Sequence, residues 1–228
     1  MMHQTLSVSG LPSKGRPRGF DREDALMKAL TLFWSQGYEP TSIADLCAAI
    51  GIRPPSLYAA FGSKAELFVE VAHFYERMYW HDVWARLKSG PDIFTSITRF
   101  FEEAAEILLS ESAPCGCLVV LATMNVSSSA PQVSEAAREI RQAGKRCFAS
   151  RLRRAVNDGQ MPADTEIDSL ATMLNSLLAG MSVEAKDGVS LQLLRATIKH
   201  ADRLLPRTQT LAIHRLFNPC PRSPEYPR

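Results

Sequence analysis

Three short segments near the start of the chain carry apolar residues at helical spacing, and a glycine follows each segment. The apolar residues recur at intervals of three and four, so each set falls on one face of a helix. Gly37, Gly51 and Gly62 stand where helices of this kind end. One helix, a short helix, a glycine turn and a second short helix form the helix-turn-helix layout. Its predicted core is Leu30, Phe33, Ile43, Leu46, Ile50, Leu57 and Phe61.

Residues that favour the start of a helix precede the same segments. Asp21 can cap the first helix, and Thr41 or Ser42 can cap the second, because their side-chain oxygens accept hydrogen bonds from free backbone N–H groups. Ser63 begins a fourth helix, with Glu66 three residues later at the capping-box position. The caps and the glycines together predict where these helices begin and end.

The third segment is the candidate recognition helix, which in this motif lies in the major groove of DNA. A recognition surface needs hydrogen-bond donors, a flat aromatic ring and small side chains that permit close approach. Arg53, Ser56 and Tyr58 supply the first two, and Pro55 and Ala59 supply the third. The pattern predicts double-stranded operator DNA as a partner. For Tyr58 the alternative is packing against the first helix.

The letters TSIADL at 41–46, GI at 51–52 and SLYAAFGSKAEL at 56–67 form a long, ordered pattern. This pattern resembles the signature of the TetR/AcrR family of transcriptional regulators, and the similarity extends over roughly residues 18–71. The resemblance implies an N-terminal three-helix DNA-binding domain. It also implies a C-terminal helical domain that dimerises and binds an unidentified small-molecule effector.

The resemblance further implies roles for single residues. It places phosphate contacts at Thr41, Ser42, Tyr58 and Lys64, and base-edge contacts at Arg53, Pro55, Ser56 and Ala59. Many relatives carry a small or basic residue where this chain has the pair Pro54-Pro55, which removes two backbone donors. The operator preference of relatives therefore does not carry over. For Lys64 the alternative is a solvated surface charge.

A short basic stretch, residues 14–19, directly precedes the predicted DNA-binding domain. Arg16 and Arg18 are its arginines, and an arm of this kind can enter the minor groove of DNA. The alternative is a tail without a role, because the residues before it are rich in Ser and Gly and lack a helical period.

The chain beyond Lys64 keeps a helical period and does not show the alternation of an exposed strand. The predicted helices are 64–87, 92–110, 116–126, 131–158, 165–185 and 190–205. The predicted fold class is all-α, with an N-terminal helix-turn-helix domain and a C-terminal ligand-binding and dimerisation bundle. The predicted divisions are a flexible arm at 1–19, the DNA-binding domain at 20–66, the C-terminal domain at 67–205 and a proline-rich, disordered tail at 206–228.

Two apolar stripes at helical spacing lie on the last two long helices. In the family that the chain resembles, these helices pair with their copies in a four-helix interface, which implies a homodimer. A two-fold dimer also reads a palindromic site, and one short helix alone makes too few contacts for specific binding. The alternative is that both stripes fill the core of the monomer. The candidate interface residues are Leu170, Met173, Leu174, Leu177, Met181, Leu191, Leu194 and Ile198.

A ligand site is expected inside the C-terminal bundle, where apolar and aromatic side chains suit an apolar or aromatic small molecule. Each of these side chains can equally be plain core. The candidates are Phe74, Met78, Trp84, Phe101, Leu108, Leu118, Leu121 and Met124. A ligand that favours a dimer with wrongly spaced recognition helices would release the operator.

The segment Cys115-Gly116-Cys117 is the most reactive-looking feature of the chain. A Cys-x-Cys pair can bind a soft metal or respond to oxidants, so a second hypothesis is a redox- or metal-responsive regulator. A Gly-Cys-Leu segment also occurs at this helix in a branch of the family, so the alternative is a buried structural thiol. Sequence alone completes no metal site, and we expect neither a metal nor a cofactor.

Composition limits the remaining classes of function. The 228 residues carry a formal net charge of only +2, which argues against sequence-independent DNA compaction. Five irregularly spaced cysteines and no signal-peptide pattern favour a reduced cytoplasm. The longest apolar run, 118–123, is too short to span a membrane. The chain has no nucleophile elbow, Walker loop or His-Glu-x-x-His motif, so we do not expect an enzyme.

Overall fold

The computed structural model describes residues 21–208, and this part of the chain is built from helices without a β-strand. The helices are α1 (Arg22–Gln36), α2 (Ile43–Ile50), α3 (Pro54–Phe61), α4 (Lys64–Tyr75), α5 (His81–Ser89), α6 (Ile93–Leu108), α7 (Leu118–Leu121), α8 (Pro131–Asn157), α9 (Ile167–Lys186) and α10 (Leu191–Asp202). A π-helical turn, Glu76–Trp80, joins α4 to α5. The all-α prediction is confirmed. The predicted arm with Arg16 and Arg18, and the tail beyond residue 208, lie outside the described residues.

Helices α1 to α3 form the predicted three-helix unit, and their caps explain its boundaries. The Asp21 side chain caps α1, as expected. Ser42 rather than Thr41 caps α2, and Ser42 and Asp45 form a full capping box, in which each side chain accepts from the other residue's backbone N–H at 3.1 Å. α3 begins with Pro54 and Pro55, where the missing N–H groups break no helical hydrogen bond.

A continuous apolar core joins the two halves of the molecule. α4 packs on α1 in the DNA-binding domain and on α8 in the C-terminal bundle, so the predicted boundary after Glu66 falls within the helix that connects them. The rings of Phe33 and Phe68 meet edge to face with centroids 5.1 Å apart on the N-terminal side. On the C-terminal side the rings of Trp84 and Phe100 lie 4.4 Å apart. Aromatic packing therefore stabilises both halves of the molecule.

α7 is much shorter than the helix predicted over 116–126, because only four residues are helical. The carbonyl groups that would continue the helix have other partners. Arg141 Nη1 donates to Val119 O at 3.0 Å, and the Tyr38 N–H donates to Ala122 O at 3.1 Å. These long-range hydrogen bonds end the helix, and a local apolar pattern contains no sign of them.

The last two helices lie on the outside of the bundle. α9 packs on α8 and α6, whereas α10 packs mainly on α6. Each therefore leaves one face without a neighbour among residues 21–208. Although α8 and α9 are long, no helix of residues 21–208 is both long and apolar enough to cross a membrane.

Candidate nucleic-acid interface and internal cavity

α3 presents a row of exposed side chains opposite its buried anchors. Leu57 and Phe61 are buried and hold the helix against α1, α2 and α4. The side chains on the other face are exposed, and Tyr58, at 49% exposure, is not a core residue. The structure thus brings together on one surface the predicted recognition residues Arg53, Pro55, Ser56, Tyr58 and Ala59.

Arg22 holds the C-terminal end of α3, a role that the sequence did not reveal. Its Nε and Nη2 atoms donate to the two carboxylate oxygens of Glu70, and its Nη1 donates to Ala60 O at 2.9 Å. The guanidinium also lies 4.5 Å above the centroid of the Phe61 ring. Since Arg22 belongs to α1 and Glu70 to α4, the recognition helix is fixed between these two helices.

Thr41 does not present its hydroxyl to a DNA backbone. The residue is fully buried, and its Oγ1 donates to Gly37 O at 2.7 Å. The predicted phosphate contact of this side chain is therefore corrected, because the hydroxyl closes the turn between α1 and α2. Ser42, the other predicted phosphate contact on this turn, is exposed, and its hydroxyl donates to Asp45 Oδ2 at 2.6 Å. The hydrogen bonds from Ser42 lower the pKa of Asp45.

Lys64 is neither a solvated surface charge nor wholly directed at an outside anion. Its Nζ donates to Thr41 O at 2.9 Å and to Glu39 O at 3.3 Å, and it lies 4.3 Å above the centroid of the Tyr38 ring. Partial burial lowers the pKa of Lys64. Because an ammonium has three donors, one N–H is left for an external acceptor.

A small cavity of about 50 Å³ lies within the C-terminal bundle, between the π-helical turn and α5, α7, α8 and α9. Its apolar walls are Trp80, Trp84, Val119, Val120, Ile140 and Leu178, and its polar groups come from Glu76, Cys117, Arg141 and Asn175. A liquid water occupies roughly 30 Å³, so the cavity as it stands admits only a very small molecule.

The Glu76 carboxyl is the unusual group in this cavity. It makes no hydrogen bond or ion pair with any other residue of the described chain. Burial raises the pKa of Glu76 to about 7, because desolvation penalises the carboxylate. Nearby, Trp80 Nε1 and Tyr75 Oη are buried and lack a hydrogen bond of ordinary geometry. The Glu76 carboxyl therefore lies on the cavity wall without a hydrogen-bond partner among residues 21–208.

The two cysteines of the Cys-x-Cys segment have different surroundings. Cys115 is exposed, whereas Cys117 is buried and lines the cavity. Burial raises the pKa of Cys117 to about 11, so its reactive thiolate form is scarce near neutral pH. Within residues 21–208, three or more side chains of the kinds that ligate metals are not gathered at any point.

Of the predicted ligand-pocket residues, the structure places only Trp84 on the wall of this cavity. The others do not line it. Met78 and Met124 are exposed, Leu121 is half-buried, and the rest are buried in the core. These core residues are Phe74, Phe101, Leu108 and Leu118.

A larger cleft of about 390 Å³ opens between α5 and α6, but it is a poorer candidate for a ligand site. Its rim carries exposed ion pairs, in which Arg86 and Arg99 both bond to Glu103. Its lining comes only from residues 83–103, so it does not reach the segment that contacts the DNA-binding domain.

The predicted dimer residues divide into two groups. Leu174, Met181, Leu194 and Ile198 are buried within the protomer, where they pack on the bundle, so they do not form an outer face. Leu170, Met173, Leu177 and Leu191 are half-buried. The uncovered face instead carries Ser176, Gly180, Val183, Leu193 and Ala196. An apolar stripe marks the buried side of a helix, and it does not tell core from interface.

Glu76 and Arg141 were missed by sequence reasoning, although one signal pointed to them. Glu76 lies four residues from Ala72 and from Trp80, and both of these are buried. Arg141 likewise lies four residues after the buried Ala137. A charge within an otherwise apolar stripe is uncommon, because burying it requires a partner or a change of protonation, and so it marks a candidate polar site.

Two family models match the chain. The model for "Bacterial regulatory proteins, tetR family" matches residues 25–71, and the model for "Tetracyclin repressor-like, C-terminal domain" matches residues 95–201. The structure is similar to that of a cysteine mutant of the TetR family regulator CifR with 26-bp double-strand operator DNA. The two share 40% identity and a TM-score of 0.81 over 84% of this chain and all of that one.

Two curated relatives from Escherichia coli are similar over most of their length. The HTH-type transcriptional repressor ComR is 32% identical over 195 residues, which cover 85% of this chain and 93% of ComR. The HTH-type transcriptional repressor BdcR is 30% identical over 187 residues, which cover 80% of this chain and 88% of BdcR. The resemblance to the TetR/AcrR family is thus confirmed, and the matches extend over both halves of the chain. The chain belongs to the TetR family of bacterial transcriptional regulators, and it is a DNA-binding regulator rather than an enzyme.

Proposed function

We propose that this protein is a repressor that binds a palindromic operator as a homodimer and releases it when a small apolar or aromatic ligand enters the α7–α8 cavity. One observation carries the proposal. The segment that lines the cavity, residues 116–127, is also hydrogen-bonded to the DNA-binding domain, through Trp34, Tyr38 and Glu39. A change in the cavity therefore has a direct route to the headpiece.

The DNA contacts are assigned from exposure and chemistry. Arg53 and Ser56 stand at the N-terminal end of α3, which enters the groove first. Tyr58 and the remaining N–H of Lys64 would contact phosphates on the flanking strand. Ser42 supports them by fixing the start of α2, and Thr41 does so from within the turn.

The dimer is proposed to form through the uncovered faces of α9 and α10. Val183 is 40% exposed and Leu193 is 57% exposed, which leaves apolar area for a partner. Gly180 faces open space and would allow two copies of α9 to approach closely. The relative CifR binds a 26-bp operator, a length that accommodates two half-sites more than one helical turn apart.

The ligand is proposed to act by displacing α7. The cavity of about 50 Å³ is smaller than the pockets of roughly 300 Å³ or more that hold drug-sized ligands. A ligand of that size would push Val119 and Val120 outward and strain the bond from Tyr38 to Ala122. The resulting dimer would hold its recognition helices at the wrong spacing for successive major grooves.

DNA footprinting, combined with a measurement of the number of protomers bound per site, tests this proposal. The DNA immediately upstream of the protein's own gene should show two protected half-sites related by a palindrome, with two protomers bound per site. Val183→Glu with Leu193→Glu should give a monomer that protects neither half-site, whereas Lys186→Glu, an exposed change on the same helix, should remain dimeric. A single protected half-site bound by one protomer would contradict the dimer proposal.

A second candidate function is redox or soft-metal sensing through Cys115 and Cys117. It is favoured by the position of Cys117 on the cavity wall, where a reagent small enough to enter meets the thiol. The raised pKa of Cys117 opposes it, since the thiol is the less reactive form. Loss of operator binding on treatment with hydrogen peroxide or Cu(I), absent in Cys115→Ser and Cys117→Ser variants, would favour this mechanism over a non-covalent ligand.

A further inference from the structure

The dipeptide Gly116–Cys117, which we term the junction, is hydrogen-bonded to three helices outside its own segment. The Gly116 N–H donates to Leu108 O at the end of α6, at 2.8 Å. Its carbonyl oxygen accepts from Trp34 Nε1 of α1, also at 2.8 Å. The Cys117 N–H donates to Ser182 Oγ of α9 at 2.7 Å. One link of backbone therefore connects the DNA-binding domain to the proposed dimer helix.

These bonds are inaccessible to water. Trp34 is 3% exposed and Ser182 is fully buried, so breaking either bond would leave an unpaired polar group in the core. Trp34 is also held by its ring, which meets the rings of Tyr75 and Tyr79 edge to face at 4.8 and 5.2 Å. The indole therefore has little freedom to find another acceptor.

Gly116 sets the fine geometry of the junction. Its φ of +84° lies in the left-handed region that favours glycine. A Cβ at this position would stand 2.8 Å from Ser182 O and 2.3 Å from Leu121 Cδ1. The backbone thus lies directly against α9, and a shift of α9 or α7 moves the carbonyl that holds Trp34.

We propose that Trp34 and Ser182 are positioning residues that, through the junction, set the orientation of the DNA-binding domain relative to α9. α1 carries Trp34 and packs on α2 and α4, so a displacement of the indole carries the recognition helix with it. Cys117 also lines the cavity, so a ligand bound there would act on the junction. This part of the proposal rests on the proposed function. The bonds of Tyr38 and Glu39 to residues 122 and 127 form a second, more exposed link on the same side.

Indole NMR tests the link without any ligand. The chain has three tryptophans, so a protein labelled with ¹⁵N-tryptophan gives three indole signals, and Trp34→Phe identifies the one from Trp34. Ser182→Ala should shift this signal and speed its hydrogen exchange by about tenfold or more. Ser96→Ala, which removes another buried serine hydroxyl that bonds to Asp92 within its own turn, should leave it unchanged. An unchanged Trp34 signal in folded Ser182→Ala protein would overturn the proposal.

Operator titrations provide the functional readout. Trp34→Phe and Ser182→Ala should each weaken binding of the upstream DNA by about threefold to thirtyfold, and the double variant should be hardly weaker than either single one. Independent effects that multiply would overturn the proposal, whereas failure of the wild-type protein to bind any DNA would overturn the proposed function instead. If Ser182→Ala does not fold, Ser182→Cys, of similar size and weaker as an acceptor, takes its place in both experiments.

Discussion

Arg22 and Glu70 form a two-point ion pair that ties the first residue of α1 to the middle of α4, with Nε–Oε1 at 3.0 Å and Nη2–Oε2 at 2.5 Å. The third nitrogen of the guanidinium, Nη1, donates to Ala60 O, close to the end of α3. The position of α3 relative to α1 and α4 is therefore held by a residue outside the exposed face of α3.

Arg22→Met should weaken operator binding by about tenfold while lowering the free energy of unfolding by only about 1 kcal/mol, since the pair is about one-third exposed. Fluorescence anisotropy and urea unfolding measure the two effects. Lys28→Met, which removes the exposed pair between Lys28 and Asp24 on the same helix, is the matched control and should change operator affinity by about twofold or less. Equal losses in the two variants would show that charge alone, and not the position of α3, sets the affinity.

Gly116→Ala should cost much more stability than Gly188→Ala. Both glycines have positive φ, at +84° and +88°, so the backbone penalty of about 1 kcal/mol is shared. Only at Gly116 does the added methyl meet other atoms, whereas none lies within 4 Å at Gly188. We expect a loss of roughly 3 kcal/mol or more at Gly116, measured by urea unfolding. Similar losses at the two sites would mean that the atoms around Gly116 can shift to accommodate the methyl group at little cost in free energy.

Glu76 should make stability depend on pH in a defined direction. Its folded pKa of about 7 lies above the ordinary value of 4.5, so between these values the folded state binds the extra proton. The stabilisation is complete below pH 4.5 and is lost as pH rises through 7. The free energy of unfolding of Glu76→Gln, relative to that of the wild type, should therefore be roughly 2 kcal/mol higher at pH 8 than at pH 5. Urea unfolding at the two pH values measures this difference.

The control for this prediction is Glu135→Gln, since Glu135 is exposed and paired with Arg138, which lowers its pKa. The free energy of unfolding of Glu135→Gln, relative to that of the wild type, should not increase as pH rises above 5. If Glu76→Gln behaved in the same way, the Glu76 carboxyl would have to be solvated or paired.

Arg53→Ala should relax operator specificity rather than remove binding altogether. Arg53 is exposed at the start of α3, where the next two residues lack backbone donors, so a guanidinium is the main group there that can read a guanine edge. Discrimination at one base pair should fall by about 1–3 kcal/mol in a titration of single-substitution operators. Arg153→Ala, an exposed change on α8, should leave the pattern intact. A uniform loss across all sequences would assign Arg53 to a phosphate.

The DNA-binding domain was largely predictable because its signals are local. Capping by Asp21 and Ser63, termination by Gly37 and Gly51, and the exposure of Tyr58 all follow from residues within one or two turns. The ends of α2 and α3 match the sequence pattern for the same reason.

The cavity was not predictable, because long-range partners determine it. The apolar run at 118–123 predicts part of a longer helix. In the structure Arg141, 22 residues from Val119 in sequence, donates a hydrogen bond to the Val119 carbonyl oxygen. Similarly, Met181 and Ile198 fall on apolar stripes, and only the placement of α8 and α6 decides that these stripes are core. The bond from Lys64 to Thr41 O closes a turn 23 residues away, which no local pattern reports.

Fluorescence anisotropy with the DNA immediately upstream of the protein's own gene, in the presence of excess random competitor, tests DNA-binding regulation most directly. We expect saturable binding that survives the competitor and is lost in the variant Arg53→Ala with Tyr58→Ala, whose exposed side chains contribute little to the fold. A selection from randomised DNA extends the test to distant operators. Binding to neither the upstream DNA nor any selected sequence, by protein that is folded and dimeric, would contradict the assignment of α3 as a recognition helix.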